Sequence, residues 1–378
     1  MKVSKEILNL VPYKPGKPIS ETQREFGLSQ VFKLASNENP LGSSPMALKA
    51  IQAHLKELHY YPDPTHYDLL EKVSSFWKIP KNQLSFGNGS DEIIDLLCRI
   101  YCEPGDSILT SEAAFAAYEV SGNASRTQVQ KTKLTADYKM DLQAMSQHFF
   151  AHPEQKIRLI FIANPNNPTG TYVNKDEVDL FLQKLGNRDD VLVVFDEAYT
   201  EFVRAQDYPV AFDLFRKYKN VCVLRTFSKI FGLAGIRVGA LVAPVEVIEI
   251  FNRVRKPFNV NSLAQIAVIA AMQDYEFIKN SQQLAWSGLD YFYQELKALK
   301  LPFIESQGNF VLFDTLRDAS KVDQALLRRG IILRPVKNYG FPRHLRMSVG
   351  IENENKAAMD ALHEVLKEIP IDGKSNHN

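Results

Sequence analysis

Lys229 stands in the stretch LRTFSKIFGLAGIRVG, residues 224–239, with Thr226 and Ser228 just before it and Arg237 eight residues after it (237 − 229 = 8). A lysine amine can hold an aldehyde cofactor as a Schiff base while nearby hydroxyls and a guanidinium take up a phosphate. A Ser-Lys pair among glycines is more often a solvated loop, so this chemistry depends on partners elsewhere in the chain.

Three upstream segments supply such partners. GNGSDE, residues 87–92, precedes an apolar-periodic helix, so Ser90, Asp91 and the backbone N–H groups around them converge on a helix N-terminus, a natural phosphate seat. A plain N-cap accounts equally well for a Ser or Asp there. NPNNPTG, residues 164–170, follows the strand-like run RLIFIA, and its prolines leave Asn167 little freedom. An amide fixed at the C-terminal end of a parallel strand lies where ligands bind in open α/β sheets and can donate to a phenolic oxygen. Twenty-nine residues on (196 − 167 = 29), VLVVF runs into Asp196-Glu197-Ala198-Tyr199. A carboxylate ending a buried strand is costly unless it meets a cation, and a protonated pyridine nitrogen is one such partner. An N-cap or a salt bridge is the other. Tyr199 could reach an oxygen of the same ring, and Lys229 follows Asp196 after 33 residues (229 − 196 = 33).

These residues need a frame. From Leu84 onward short apolar runs alternate with helical patterns (LSF, SILT, RLIFIA, VLVVF, VCVLR, GALVA), which predicts an α/β domain with a mostly parallel sheet covered by helices on both faces. Toward the C-terminus long helices flank a few short strand candidates (NFVLFDT, IILRP, HLRMSVG), the texture of a smaller α+β domain. The expected division is an N-terminal arm over residues 1–32 that joins the small domain, a large domain over 33–270 and a small domain over 271–378. No internal repeat or low-complexity tract suggests a solenoid.

Composition narrows the class. The 378 residues are 45% hydrophobic and 24% charged with a formal net charge of +1, so there is no basic surplus to attract nucleic acid or a membrane surface. Cys98, Cys102 and Cys222 are expected as free thiols in a reducing compartment. Cys98 and Cys102 stand four apart, but no second ligand pair follows, and with His148 and His152 read the same way no metal site is expected. The N-terminus lacks the pattern of a signal peptide and no apolar run is long enough to span a bilayer, so a cytoplasmic protein is expected.

Taken in order, the motifs resemble those of the pyridoxal-phosphate aminotransferases of fold type I. The resemblance runs over nearly the whole chain, from YKPGKP through NENPLG, YPDP, GNGSDE, NPNNPTG, DEAY and TFSKIFGLAGIRVG to LRMSVG. Within that superfamily the chain is most similar to the histidinol-phosphate aminotransferases. The resemblance implies that pyridoxal 5'-phosphate is held by Lys229, which also carries the substrate proton, with Asp196 at the pyridine nitrogen and Asn167 and Tyr199 at the ring oxygen. Ser90, Asp91, Thr226, Ser228 and Arg237 would surround the phosphate. Tyr61 would reach the phosphate in the neighbouring subunit, which implies a homodimer with shared active sites. Phe115 would stack on the ring, although the proline that usually precedes such a residue is replaced in AAFAAY. Arg346 would take the substrate's anionic group, with Arg334, Tyr13 and Asn39 as companions.

The implied reaction is amino transfer between L-histidinol phosphate and 2-oxoglutarate, giving imidazole acetol phosphate and L-glutamate in histidine biosynthesis. Similar proteins transaminate aromatic amino acids or decarboxylate phosphothreonine. The arm YKPGKPISETQREFGL and the two cations Arg334 and Arg346 favour a phosphate substrate. A non-catalytic regulator on the same fold would need an attached DNA-binding domain, for which the arm is too short.

Overall fold

The computed structural model describes residue 3, residues 5–8, residue 10 and residues 16–372. In chain order its first strands are β1 (Phe32–Lys33), β2 (Leu84–Gly87), β3 (Ser107–Ser111), β4 (Gln128–Thr132), β5 (Ile157–Ala163), β6 (Leu192–Asp196), β7 (Val221–Thr226) and β8 (Gly239–Val242). There follow β9 (Phe303–Ile304), β10 (Phe310–Asp314), β11 (Ile331–Ile332), β12 (Arg334–Pro335) and β13 (His344–Ser348). Strands β3, β5, β6 and β7 are rich in Ile, Val, Leu and Phe and almost wholly buried, as strands covered on both faces must be.

Seven strands form one sheet in the order β2-β8-β7-β6-β5-β3-β4. β8 runs antiparallel to both β2 and β7, and the other pairings are parallel. The outer strand β4 reads QVQKT and is largely open to solvent, so its glutamines and lysine discourage pairing with another sheet edge. The registers Ala163↔Asp196 and Asp196↔Leu224 bring the C-terminal ends of β5, β6 and β7 level with one another. Three loops that carry expected site residues therefore leave the sheet side by side.

A second sheet, antiparallel, has the order β12-β13-β10-β9. It packs with helices Ala319–Leu327 and Glu352–Glu368 in an apolar cluster separate from that of the large sheet. Helix Tyr275–Ala298 joins the two, giving Ala285 to the first core and Leu289, Phe292 and Leu296 to the second. The chain also enters the second core early. β1 pairs in parallel with β11, Phe32 opposite Ile331, and Leu34 is buried beside Leu345 and Met347. Residues 35–39 are thereby strung between the two sheets.

Two glycines are required by close approach. Gly232 has φ +67, and a Cβ there would lie 1.9 Å from the Gly42 carbonyl oxygen. Gly89 has φ +80, and its Cβ would meet Arg237 Nη2 at 2.5 Å. The first lets the turn after Lys229 lie against residues 42–43, and the second lets Arg237 reach over the start of helix Ser90–Tyr101.

Candidate active site

Where these loops meet the segment 35–38 and strands β12 and β13, a cleft of about 1050 Å³ opens to solvent. Ser90, Asp91, Phe115, Asn167, Asp196, Tyr199, Thr226, Ser228, Lys229, Arg237, Arg334 and Arg346 all line it, brought together from positions up to 256 residues apart (346 − 90 = 256). The expected residues divide into a floor, an anion seat and a second cationic end.

Asp196 is the floor. It is the last residue of β6 and is buried, yet both its contacts are neutral donors: Tyr118 Oη donates to Oδ2 at 2.7 Å and Ala198 N donates to Oδ1 at 3.2 Å. Burial pushes its carboxyl up to about 6, against the lowering effect of those two donors. A carboxylate so placed, open to the cleft, has room for one more partner, and a cation would relieve the cost of its burial. Tyr118 is itself fixed, with its ring stacked on Phe161 at 4.6 Å and edge-on to Phe115 at 5.8 Å. Phe115 thus stands over the same floor.

Lys229 comes from the loop after β7. Its Nζ donates to the Ser36 carbonyl at 3.1 Å and lies 5.6 Å from the centre of the Tyr199 ring. Tyr199 is buried, its Oη accepts from Asn37 Nδ2 at 2.9 Å, and burial raises its hydroxyl above the ordinary tyrosine range while Arg346 opposes that rise. Amine, phenol and carboxylate therefore share one wall of the cleft.

The anion seat is built on helix Ser90–Tyr101. With Gly89 at its N-cap, this helix begins at the cleft, where Ser90 and Asp91 are lining residues and the partial positive charge of a helix N-terminus favours an anion. Arg237 Nη2 holds Asp91 Oδ2 at 2.9 Å. The Asp91 carboxylate is thus committed to the arginine, and what Asp91 offers a phosphate is its backbone N–H. Thr226 and Ser228 are buried alongside, with Thr226 Oγ1 accepting from Ser228 N at 3.2 Å.

At the other end Arg346, on β13, donates through Nη1 to Asn167 Oδ1 and through Nη2 to the Ala35 carbonyl at 2.6 Å, with its guanidinium 5.3 Å above the Phe310 ring. Arg334 on β12 lies opposite Arg346 in the strand register.

Two expected residues lie elsewhere, and one falls outside the described residues. Asn39 points away from the cleft, its amide donating to the Ile230 carbonyl at 2.9 Å and Ser281 Oγ at 2.8 Å; the asparagine that lines the cleft is Asn37. The chain turns left-handed at Asn37, φ 54, which breaks the simple alternation that would have put both on one side. Tyr61 is 82% exposed and stacks on Phe258 at 4.7 Å, outside its own chain's cleft. Tyr13 lies outside the described residues. Sequence reasoning missed Asn37, the Ser36 carbonyl and Tyr118. For Tyr118 the signal was present in the aromatic pair of AAFAAY, whose spacing puts Tyr118 beside Phe115. Cys98, Cys102 and Cys222 are buried free thiols, the last two pushed up to about 12, and no helix among the described residues is long and apolar enough to cross a membrane.

Residues 29–362 match the profile of aminotransferase class I and II. A histidinol-phosphate aminotransferase of Bdellovibrio bacteriovorus HD100 is 66% identical over 98% of this chain and 99% of its own length. The chain belongs to the histidinol-phosphate aminotransferases of class I and II. Its kinship within that family extends to the enzyme of Caldicellulosiruptor saccharolyticus, 43% identical over 95% of this chain and 99% of the relative. The crystal structure of the Sinorhizobium meliloti histidinol-phosphate aminotransferase in complex with pyridoxal-5'-phosphate superposes with a TM-score of 0.86 at 25% identity, covering 97% of this chain and 98% of the other. A Thermus thermophilus aspartate aminotransferase, TM-score 0.82 at 18% identity over 97% of this chain and all of the other, shares the fold. The cleft of this chain is lined by Ser90, Asp91, Asp196, Lys229, Arg334 and Arg346.

Proposed function

We propose that this chain is a pyridoxal-phosphate-dependent aminotransferase that moves an amino group between L-histidinol phosphate and 2-oxoglutarate, giving imidazole acetol phosphate and L-glutamate. The observation that carries the reading is one cleft lined by both Lys229 and the buried Asp196, which among the described residues is held by neutral donors, with cations at both ends. The 66% identity to a histidinol-phosphate aminotransferase over nearly the full chain supports the substrate.

The donor set fits pyridoxal phosphate. Asp196 would meet its pyridine nitrogen, the helix start at Ser90 and Asp91 with Thr226, Ser228 and Arg237 would hold its phosphate, and Phe115 would offer a ring face. Bound there, the cofactor supplies an electron sink that makes the substrate Cα–H acidic. Lys229 Nζ would hold the cofactor's aldehyde end and is the group placed to take and return the proton at substrate Cα. Asp196 would keep the ring nitrogen protonated. Asn167 Nδ2 and Tyr199 Oη would hold the ring oxygen, Asn167 being turned for this by Arg346 on its Oδ1. Arg346, with Arg334 on the neighbouring strand, takes the anionic group of each substrate, phosphate in one half-reaction and carboxylate in the other.

The same reading makes the enzyme a cytoplasmic homodimer. Leu58, Tyr60, Tyr61 and Tyr67 are each more than half exposed in one stretch of chain, an apolar surface suited to a second copy, and Tyr61 would complete the phosphate seat of that copy. Residues 33–270 then serve as the large cofactor-bearing domain, 271–378 as the small domain and 1–32 as the arm, with Leu34 already packed into the second core. Tyr13 would act from the arm. The test is a panel of amino donors, histidinol phosphate, phenylalanine, tyrosine and phosphothreonine, with 2-oxoglutarate as acceptor. Histidinol phosphate is expected to give the highest kcat/KM, and a higher value for either aromatic amino acid overturns the assignment.

A further inference from the structure

Tyr61 opens a short segment that is held both from within and by one neighbour. Asp63 accepts from Thr65 N at 2.8 Å, Thr65 Oγ1 at 2.7 Å and Tyr67 N at 2.6 Å. Arg255 Nη2 donates to the Pro64 carbonyl at 2.8 Å, Gln265 Nε2 donates to the Asp63 carbonyl at 3.0 Å, and Phe258, left-handed at φ 59, carries the Tyr61 ring. Residues 255–265 thus form the bed on which the tyrosine lies.

That bed also reaches the cleft. Arg255 Nη1 donates to Asn259 Oδ1 at 3.1 Å, and Asn259 Nδ2 donates to Glu92 Oε2 at 2.8 Å and to the Phe86 carbonyl at 3.0 Å. The same Glu92 oxygen accepts from Asn88 N at 2.7 Å, in the turn that leads into helix Ser90–Tyr101. Arg255 Nε goes to Asn252 Oδ1 at 2.9 Å, which in turn accepts from Ser85 Oγ on β2 at 2.8 Å. A guanidinium presents its donors as a rigid planar fork, so Pro64 and Asn259 cannot shift independently while both are bonded.

We infer that Arg255 and Asn259 are positioning residues that lock the Tyr61 segment to the phosphate turn of the same chain, so that the state of one cofactor seat steadies the tyrosine offered to a second copy. The inference rests on the reading that Tyr61 serves the partner's site. An anion ordering the turn at residues 87–92 removes freedom from Glu92, Asn259 and Arg255, and residues 61–66 then have less freedom left to lose when they dock. Loading one site of the dimer favours loading the other.

The test uses mixed dimers, purified with two affinity tags, in which one chain carries Lys229→Ala and the other keeps its lysine. Only the lysine-bearing chain can give the absorbance of lysine-bound pyridoxal phosphate, so a cofactor titration read at that band follows a single site. Adding Arg255→Gln to the Lys229→Ala chain is expected to weaken cofactor binding at the intact chain's site about three- to tenfold, the scale of one ordinary hydrogen bond. Asn259→Ser is a second variant expected to act in the same direction, and thermal melting of each variant homodimer verifies folding. Tyr61→Phe on the Lys229→Ala chain is the control. If Tyr61→Phe weakens the intact site while Arg255→Gln and Asn259→Ser leave it unchanged, the lock is refuted and the shared-site reading stands. If Tyr61→Phe has no effect across the dimer, the shared-site reading falls and the lock falls with it. Arg255→Gln placed instead on the lysine-bearing chain reads that chain's own site, and a weakening seen only in that arrangement also overturns the inference.

Discussion

Arg346 holds the side-chain oxygen of Asn167 with one guanidinium nitrogen and the Ala35 carbonyl, at 2.6 Å, with the other. The cation proposed for the substrate is thus already bonded to the amide proposed for the cofactor ring. A substrate anion that takes up Arg346 must compete with Asn167 Oδ1, which ties the binding step to the ring. Arg346→Ala is expected to raise KM for histidinol phosphate and for 2-oxoglutarate each by about thirtyfold or more, roughly 2 kcal/mol, the worth of a hydrogen-bonded charge. Cofactor should still load on Lys229, with a shifted pH midpoint of its absorbance because Asn167 has lost its orienting partner. Separate KM measurements for the two substrates check this; a loss confined to one would assign the other to Arg334.

Asp196 yields a prediction in two parts. With cofactor bound, Asp196→Asn cannot hold the pyridine nitrogen protonated, so kcat should fall by at least about a hundredfold, ~2.7 kcal/mol, with substrate KM little changed. Without cofactor the effect on stability has the opposite sign. Burial raises the Asp196 carboxyl to about 6 from an ordinary 3.8, so the stabilising protonated form is complete below about pH 4 and is lost as pH rises through 6. Above that pH the apo protein holds a buried charge costing on the order of 3 kcal/mol, which asparagine removes while still accepting from Tyr118. Apo Asp196→Asn is therefore expected to melt higher than apo wild type at pH 8 and at nearly the same temperature at pH 4. Equal melting at both pH values would refute the buried-charge account.

What the sequence revealed of this site follows from where each residue stands. Asp196, Asn167 and Lys229 follow continuous apolar runs, and such runs become buried parallel strands whose ends line up, so their convergence was readable without coordinates. Strand direction was not readable. GALVA has the same texture as VCVLR, yet β8 runs antiparallel because its chain returns directly from β7 through the turn at Gly232 and Arg237. Asn37 and Asn39 differ by two positions, and only the left-handed turn at Asn37 decides which one faces Tyr199. Tyr118 meets Asp196 across 78 residues through the packing of the helix after β3; the spacing in AAFAAY places Tyr118 beside Phe115 but does not encode the reach of its hydroxyl to Asp196. The pairing of β1 with β11 is of the same kind, two residues matched with two others almost 300 positions away.

Lys229→Ala should reduce turnover to background. Among the described residues the other cations lining the cleft are Arg237, Arg334 and Arg346, and an arginine stays protonated and cannot serve as nucleophile or base. Pyridoxal phosphate should still bind, held by the phosphate seat and Asp196, with the absorbance of free aldehyde rather than of lysine-bound cofactor. Rapid-mixing absorbance with histidinol phosphate checks the proton role: the variant is expected to condense with the amine and stall before Cα–H cleavage. Wild-type-like turnover would remove Lys229 from the chemistry altogether.

Behind the floor lies a charge cluster that tests how the Asp196 turn is held. Arg225 on β7 pairs with Glu197 at 2.8 Å and Glu201 at 3.1 Å, and its guanidinium lies 4.7 Å from the Phe212 ring. Burial raises both glutamates above the ordinary carboxylate range while Arg225 opposes that rise. Removing the arginine leaves two desolvated carboxylates without their cation, a loss of about 3–5 kcal/mol at neutral pH for breaking a buried pair. Arg225→Ala is expected to unfold at markedly lower urea concentration at pH 8. Because its glutamates can then take up protons, the deficit should shrink as pH falls toward 5. A second variant, Arg225→Ala with Glu197→Gln and Glu201→Gln, removes both stranded charges and should recover much of the stability. If the triple variant were no more stable than the single one, the loss would belong to the packing of Arg225 on Phe212 rather than to its charge.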